Sequence, residues 1–180
     1  MTPSTDRQVL YSHEMATPVG PMLAVTSATA LYLLEFLTRR NLDAELAALL
    51  RTAEIVPGRT AVGVALEREL GDYFAGRSAV FETPLEFPGT DFQRGVWAQL
   101  MTIAAGETWS YGKLANAVGQ PTAARAVASA NAANQFAIVV PCHRVIASTG
   151  ELGGYAGGVQ RKRWLLEHER RHWRSADRLL

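Results

Sequence analysis

Phe136-Ala137-Ile138-Val139-Val140-Pro141-Cys142-His143-Arg144-Val145-Ile146 is apolar at both ends and polar in the middle. Its apolar flanks predict a buried strand, but packing alone does not explain Cys-His-Arg at its centre. Arg and His are costly to bury unless paired, and Pro141 removes a ladder donor. Such a breach of local rules marks a functional site. Cys142 is the chain's single cysteine, so it forms no intramolecular disulfide, as suits a reducing compartment. With it stand only four scattered histidines, His13, His143, His168 and His172, which offer no zinc-ligand spacing. A thiol attacks only as thiolate, and an unperturbed one ionises near pH ~8.5. His143 and Arg144 follow directly and are expected to lower that value, against the alternative of an inert buried cysteine. Glu169 lies on a later helix and completes a Cys–His–Glu relay, in which His143 takes the thiol proton and Glu169 orients the imidazole. Neighbours in an extended chain face opposite ways, so a bend or a bridging water is expected between Cys142 and His143.

Upstream, the chain reads as helices. Asp91 to Ile103 repeats apolar residues at Phe92, Val96, Leu100 and Ile103, the pattern of an amphipathic helix. Ser110 is placed as N-cap for a helix over Tyr111 to Val118. Gly119-Gln120-Pro121 breaks it, and Thr122 is placed as cap of a second helix, Ala123 to about Ala133. Two short helices about a Gly-containing turn fit a helix-turn-helix, a weak signal alone. The second is small-sided and carries one charge, Arg125, so it either packs tightly in a core or lies close in a DNA groove. Downstream, Gly150 to Gly158 holds five glycines and lets backbone approach a ligand. A final helix is predicted over Gln160 to Arg171, and a basic tail runs from Arg170 to Arg178.

The N-terminal half has the alternation of a small α/β unit. Val9 to Glu14, Met22 to Thr26 and Leu31 to Leu37 read as strands, and Leu42 to Arg51 and Ala61 to Ala75 as helices. Phe81 to Phe87 is extended and ends at Pro88-Gly89-Thr90, the candidate boundary between domains 1–88 and 89–180. The 180 residues suffice for two such domains. No apolar run approaches the roughly 20 residues that span a membrane, and Met1 to Gln8 is polar, so a cytoplasmic protein is expected. The net charge of +1 hides an asymmetry. Residues 1–90 hold 7 basic and 11 acidic side chains, and residues 91–180 hold 11 and 6, which directs a polyanion to the C-terminal half.

Ile138 to Ile146 resembles the active-site motif of the O6-alkylguanine-DNA alkyltransferases, the methylated-DNA–protein-cysteine methyltransferases. Ser110-Tyr111-Gly112-Lys113-Leu114-Ala115, Ala123-Ala124-Arg125-Ala126-Val127 and Asn134 fall at that family's spacing from the cysteine. Gly154 to Lys162 and Trp164 to Glu169 resemble the bacterial Ogt-type members. The likeness is strong from Thr90 to Glu169 and looser before it, where Ala16 to Pro21 is similar to the family's early strand-turn. It implies an α/β (α+β) fold: a small RNase H-like N-terminal domain with a short antiparallel sheet, and a mostly helical C-terminal domain with a winged helix-turn-helix-like motif.

The implied activity is irreversible, single-turnover transfer of an alkyl group from O6-alkylguanine, and from O4-alkylthymine, in duplex DNA to Cys142 after base flipping. No metal and no cofactor is implied. The catalytic set would be Cys142, His143, Glu169, Asn134 and Tyr111, the last pressing on a backbone phosphate and donating its hydroxyl toward N3 of the base. DNA would be met through its minor groove by Arg125, Ala124, Ala128, Tyr111 and Ser148, with Arg125 filling the space of the flipped base. Val145, Leu152, Gly153, Tyr155, Ala156 and Gly157 would form the base pocket. A monomer is implied, with cooperative binding on DNA left open.

Three departures stand out. Gln135 replaces the proline usual after the hinge asparagine, which is expected to loosen that hinge. Ala128 stands where many relatives have Gly, and Ala156 where some have Ser, so any contact there to the guanine oxygen comes from backbone. Three rivals remain: an alkyltransferase-like lesion sensor, a cysteine hydrolase using Cys142, His143 and Glu169, and a transcription factor. The first lacks the cysteine, the second needs repeated turnover, and the third leaves Pro-Cys-His-Arg unexplained.

Overall fold

The computed structural model describes residues 7–173; the end of the basic tail, from Arg174 on, lies outside the described residues. Three strands, β1 (Gln8–Met15), β2 (Met22–Thr26) and β3 (Leu31–Phe36), pair antiparallel in sequence. The helix α1 (Leu42–Leu50) then carries the chain across to β4 (Ala53–Pro57), which pairs parallel with β1. The sheet order is β3-β2-β1-β4, so the sheet is mixed and not antiparallel throughout. The five residues of β4 end in Pro57, which lacks a ladder donor and is tolerated at an edge.

Alternation along the strands splits the core into two faces. Leu10, Val25 and Leu33 meet Leu42 and Ala53 in a small cluster on the α1 side. The other face, with Met15, Met22, Ala24, Leu34 and Phe36, receives α2 (Ala61–Phe74) through Leu66, Leu70 and Tyr73. Thr60 caps α2 by accepting from Gly63 N at 3.1 Å. Val96, Trp97, Val127, Val140 and Leu165 belong to this same cluster, so one continuous core runs from the sheet through the C-terminal half.

The helix α3 (Asp91–Leu100) opens with a capping box between Thr90 and Gln93 and buries Val96, Trp97 and Leu100. The two-residue β5 (Trp109–Ser110) leads into α4 (Tyr111–Ala117), capped by the Ser110 hydroxyl, which accepts from Lys113 N at 3.1 Å. Gly119, with φ 72°, ends that helix in the left-handed region open to glycine. The next helix, α5 (Ala124–Ala132), packs on α3 and α4. Its N-cap is Ala123 with no side-chain bond, so Thr122 does not cap it. Trp97 Nε1 donates to Ala130 O at 2.9 Å and pins α3 to α5. The last helix, α6 (Val159–Trp173), includes Arg170 and Arg171 and stacks Trp173 on Tyr73 with ring centroids 5.4 Å apart. None of the described helices is long and apolar enough to cross a membrane.

Candidate active site

The apolar run before Cys142 is buried, but not as a strand. Residues 136–141 fold back on themselves, with Val140 N donating to Phe136 O at 2.9 Å. Ile138 takes φ 72°, a conformation that costs a non-glycine residue about 1–3 kcal/mol and persists only where its surroundings enforce it. Here the enforcing contacts come from the core around Phe136, Val139 and Val140. Cys142, His143 and Arg144 form a single 3-10 turn, and Val145–Ile146 then pairs parallel with β5 as the short strand β6. That turn is the expected bend between Cys142 and His143.

Cys142 is 5% exposed. Asn134 Nδ2 donates to its Sγ at 3.1 Å and to Val140 O at 2.9 Å, while Asn134 Oδ1 accepts from Phe136 N at 3.0 Å. The asparagine thus holds the thiol and the turn beneath it together. Burial pushes the Cys142 thiol up to about 11; the Asn134 bond, Arg39 and Lys162 act downward and Glu35 upward. The expected lowering by His143 and Arg144 is therefore overturned, because Arg144 has turned its charge toward Glu169. At neutral pH the resting thiol is protonated, so a nucleophilic role for it would need a base to take its proton.

His143 and Glu169 are fully buried and share a bond of 2.7 Å between Nε2 and Oε1. Burial lowers the His143 pKa, with Glu169 opposing and Arg144 and Lys162 adding to the effect. The imidazole is then neutral, its Nε2–H donates to Glu169, and Nδ1 keeps a lone pair. That Nδ1 is buried and makes no hydrogen bond among the described residues, which suits a group waiting to accept a proton.

Glu169 is a hub. Besides His143 it accepts from Tyr73 OH at 2.8 Å, from Gly106 N at 3.1 Å, and from Arg144 Nε and Nη2 at 2.8 and 2.9 Å. Arg144 Nη1 reaches Ile103 O at 2.5 Å. Burial alone drives a carboxyl upward, but His143 and Arg144 outweigh it and hold Glu169 well below its ordinary value. Arg144's pairing with Glu169, and the Tyr73 and Gly106 contacts, were not foreseen. The demand that a buried Arg be paired was the one signal for the first of these.

The remaining predicted residues divide. Tyr111 and Tyr155 pack half-buried against the cluster containing Cys142 and Val145. Burial and the nearby Cys142 raise both phenols' pKa, so both stay protonated. Gly157 is buried, and a Cβ there would stand 2.7 Å from Tyr155 Cε1 and 2.8 Å from Phe36 Cδ2. Lys162, also unforeseen, is buried and donates to Val145 O at 2.6 Å and Gly154 O at 3.2 Å, tying the glycine loop to β6. Burial brings its pKa down to about 8. Ala156 and Ser148 are exposed, as is Arg125 at the start of α5, with Ala124 and Ala128 half-buried on that helix. Leu152 and Gly153, with Val159, Arg163 and Leu166, line an open cavity of about 570 Å³ whose lining does not include Cys142.

Comparison with known proteins gives a consistent picture. Residues 91–171 match the model of the 6-O-methylguanine DNA methyltransferase DNA binding domain. A methylated-DNA–protein-cysteine methyltransferase of Mycolicibacterium paratuberculosis is 56% identical over 104 residues, which are 58% of this chain and 63% of that protein. The match thus spans under two thirds of that relative. The Mycobacterium leprae protein of the same name is 40% identical over 162 residues, 90% of this chain and 93% of its own length. The crystal structure of Mycobacterium tuberculosis O6-methylguanine methyltransferase superposes with a TM-score of 0.79 at 39% identity, covering 91% of this chain and 94% of that one. Its counterpart in complex with DNA gives 0.78 at the same identity and coverage. With identity sustained at this level over nearly its whole length, the chain belongs to the methylated-DNA–protein-cysteine methyltransferase family.

Proposed function

We propose that this protein repairs DNA by direct reversal, moving an alkyl group from O6-alkylguanine, and from O4-alkylthymine, to Cys142. The observation that carries the reading is a buried thiol oriented by Asn134, next in the chain to a neutral His143 whose Nδ1 has no hydrogen-bond partner among the described residues. The DNA complex of the M. tuberculosis relative supports duplex DNA as the substrate. The target base lies within the duplex, so it must leave the stack to reach a thiol this deeply buried, at a cost of a few kcal/mol.

The thiol proton passes to His143 Nδ1 through a bridging water, and Glu169 stabilises the imidazolium that forms. The sulfur attacks the alkyl carbon, an S–C bond forms, and the O6–C bond breaks with its electron pair going to the base. Tyr111 remains a phenol and so donates a hydrogen bond to N3, making the purine a better leaving group. In net terms a proton replaces the alkyl group on guanine. The thioether is not hydrolysed by water, so each molecule acts once.

Residues 89–180 carry the DNA-binding and acceptor groups, with 1–88 as support. We place α4 and α5 as the helix-turn-helix, entering the minor groove as a monomer, and Ser148 at a phosphate. Reliance on one reduced thiol fits the cytoplasm. Intact-protein mass spectrometry after mixing with a duplex containing one O6-methylguanine tests the reading. One methylene of added mass on Cys142, saturating at one per molecule, is the expected result. Repeated turnover would make it a hydrolase, and binding without added mass a sensor.

Arg125 stands exposed on a small-sided helix, and its planar guanidinium suits stacking against an orphaned base. Arg125→Ala is therefore expected to slow repair of duplex DNA far more than reaction with free O6-benzylguanine. Equal losses on the two substrates would remove Arg125 from base flipping.

A further inference from the structure

Arg39 follows β3 and takes no part in the chemistry above, yet its side chain is only 5% exposed. Its Nη1 donates to Glu35 Oε1 and, at 2.9 Å, to the carbonyl of Asn134. Its Nη2 pairs with Glu45 Oε1 at 2.7 Å and donates to the carbonyl of Ala132 at 3.1 Å. Ala132 ends α5, and Asn134 lies just beyond it. The guanidinium therefore caps the C-terminal end of the helix that carries Arg125, where carbonyls lack intrahelical partners and a cation is favoured. The same Asn134 aims Nδ2 at Cys142 Sγ. A planar fork serves both carbonyls and both carboxylates at once, which the single ammonium of lysine does poorly.

The sheet reinforces this hinge. Leu34 N donates to Gln135 O and Ala137 N to Leu34 O, each at 2.9 Å. The loosening expected from Gln135 is thus countered by bonds from β3 to that residue and to Ala137. Burial raises the pKa of both Glu35 and Glu45 while Arg39 draws them down, as befits two carboxyls sharing one cation.

We propose that Arg39, held by Glu35 and Glu45, is a positioning residue for alkyl transfer: it fixes Asn134, and through it the Cys142 thiol, in register with α5. The inference rests on the alkyl-transfer reading for its rate effects but not for its effect on the thiol. Besides the adjacent His143, the titratable and charged groups within electrostatic reach of Cys142 are Glu35, Arg39, Lys162, Tyr111 and Tyr155.

Two variants test it: Arg39→Lys, which keeps the charge and loses the fork, and the triple Glu35→Gln, Arg39→Met, Glu45→Gln, which leaves no unpaired charge in the core. Each is compared with the unmodified chain in three ways: reaction rate with free O6-benzylguanine, reaction rate with O6-methylguanine duplex, and the pH profile of iodoacetamide alkylation of Cys142. Both rates are expected to fall roughly ten- to a hundred-fold, as misplacement of a reacting group does. The midpoint of the alkylation profile is expected to move upward, most in Arg39→Lys, as the thiolate loses its donor; the triple variant also loses Glu35, which acts upward on the thiol, and so shifts less. Folded variants with an unmoved midpoint and unchanged rates overturn the proposal, and so does a loss confined to duplex DNA, which reduces Arg39 to a cap for α5. If the triple variant does not fold, Arg39→Lys decides. If the unmodified chain accepts no methyl group, the alkyl-transfer reading fails, while the alkylation profile still shows whether Arg39 positions the thiol.

Discussion

Cys142→Ala is expected to take up no alkyl group from O6-methylguanine duplex and to bind that duplex as tightly as the unmodified chain. The loss is complete because the chain has no other cysteine to serve as acceptor. The fold survives because the change removes one buried sulfur, an effect on the order of 1 kcal/mol. Asn134 Nδ2 keeps its second acceptor, Val140 O at 2.9 Å, so no buried donor is orphaned. The proposed DNA contacts lie on α4, α5 and the loop after β6 and are untouched. Mass spectrometry and a binding titration on the same sample check both halves of the expectation, and alkyl uptake by this variant would overturn the assignment of the nucleophile.

Glu169→Gln is expected to have the larger effect on stability. The carboxylate accepts five hydrogen bonds, from Tyr73, Gly106, His143 and twice from Arg144. An amide offers one oxygen and sets its own donors against some of those groups. It also leaves the buried Arg144 without an anion, a change that costs roughly 3–5 kcal/mol and lowers Tm by on the order of 10 °C in a chain of this size. The pH dependence carries the same signature. The folded carboxyl lies below its ordinary value of 4.5, so its contribution to stability is present above pH 4.5 and is lost as the pH falls below it. The variant lacks this acid-side loss. His143, without its anchor, also loses the partner that stabilises its protonated form, so alkyl transfer slows even where the protein stays folded. Thermal melts across pH and single-turnover rates check these outcomes; an unchanged melt would mean that Arg144 finds another anion.

The elements with clear periodicity were legible: the first three strands and α1 to α6 lie within a few residues of where the sequence pattern places them. The fourth strand escaped because Ala53-Glu54-Ile55-Val56-Pro57 is short, is interrupted by Glu54 and ends in proline, and it owes its place to pairing with β1. The segment 136–141 was read as a strand because apolar content reports burial and not conformation; nothing local announces an isoleucine at φ 72°. In the site, Cys142, His143, Asn134 and Glu169 were foreseen and the structure brings them together. Arg39 and Tyr73 were not, because each acts across more than 90 residues through a backbone atom or a carboxylate; nor was Lys162, which acts through backbone carbonyls. The family resemblance places Leu152 and Gly153 in the base pocket, and in the fold they line the open cavity beside α6.

Those long separations also govern when the site comes into being. Arg39 reaches Ala132 across 93 residues, Tyr73 reaches Glu169 across 96, and Arg161 binds Val19 O across 142. Closing loops of this length is entropically costly, and contacts of this kind form slowly. The nucleophile therefore gains its shelter only when the rest of the molecule has folded. Until then Cys142 is an ordinary accessible thiol, open to oxidants and to stray electrophiles, and a molecule modified at that stage is lost before it meets DNA.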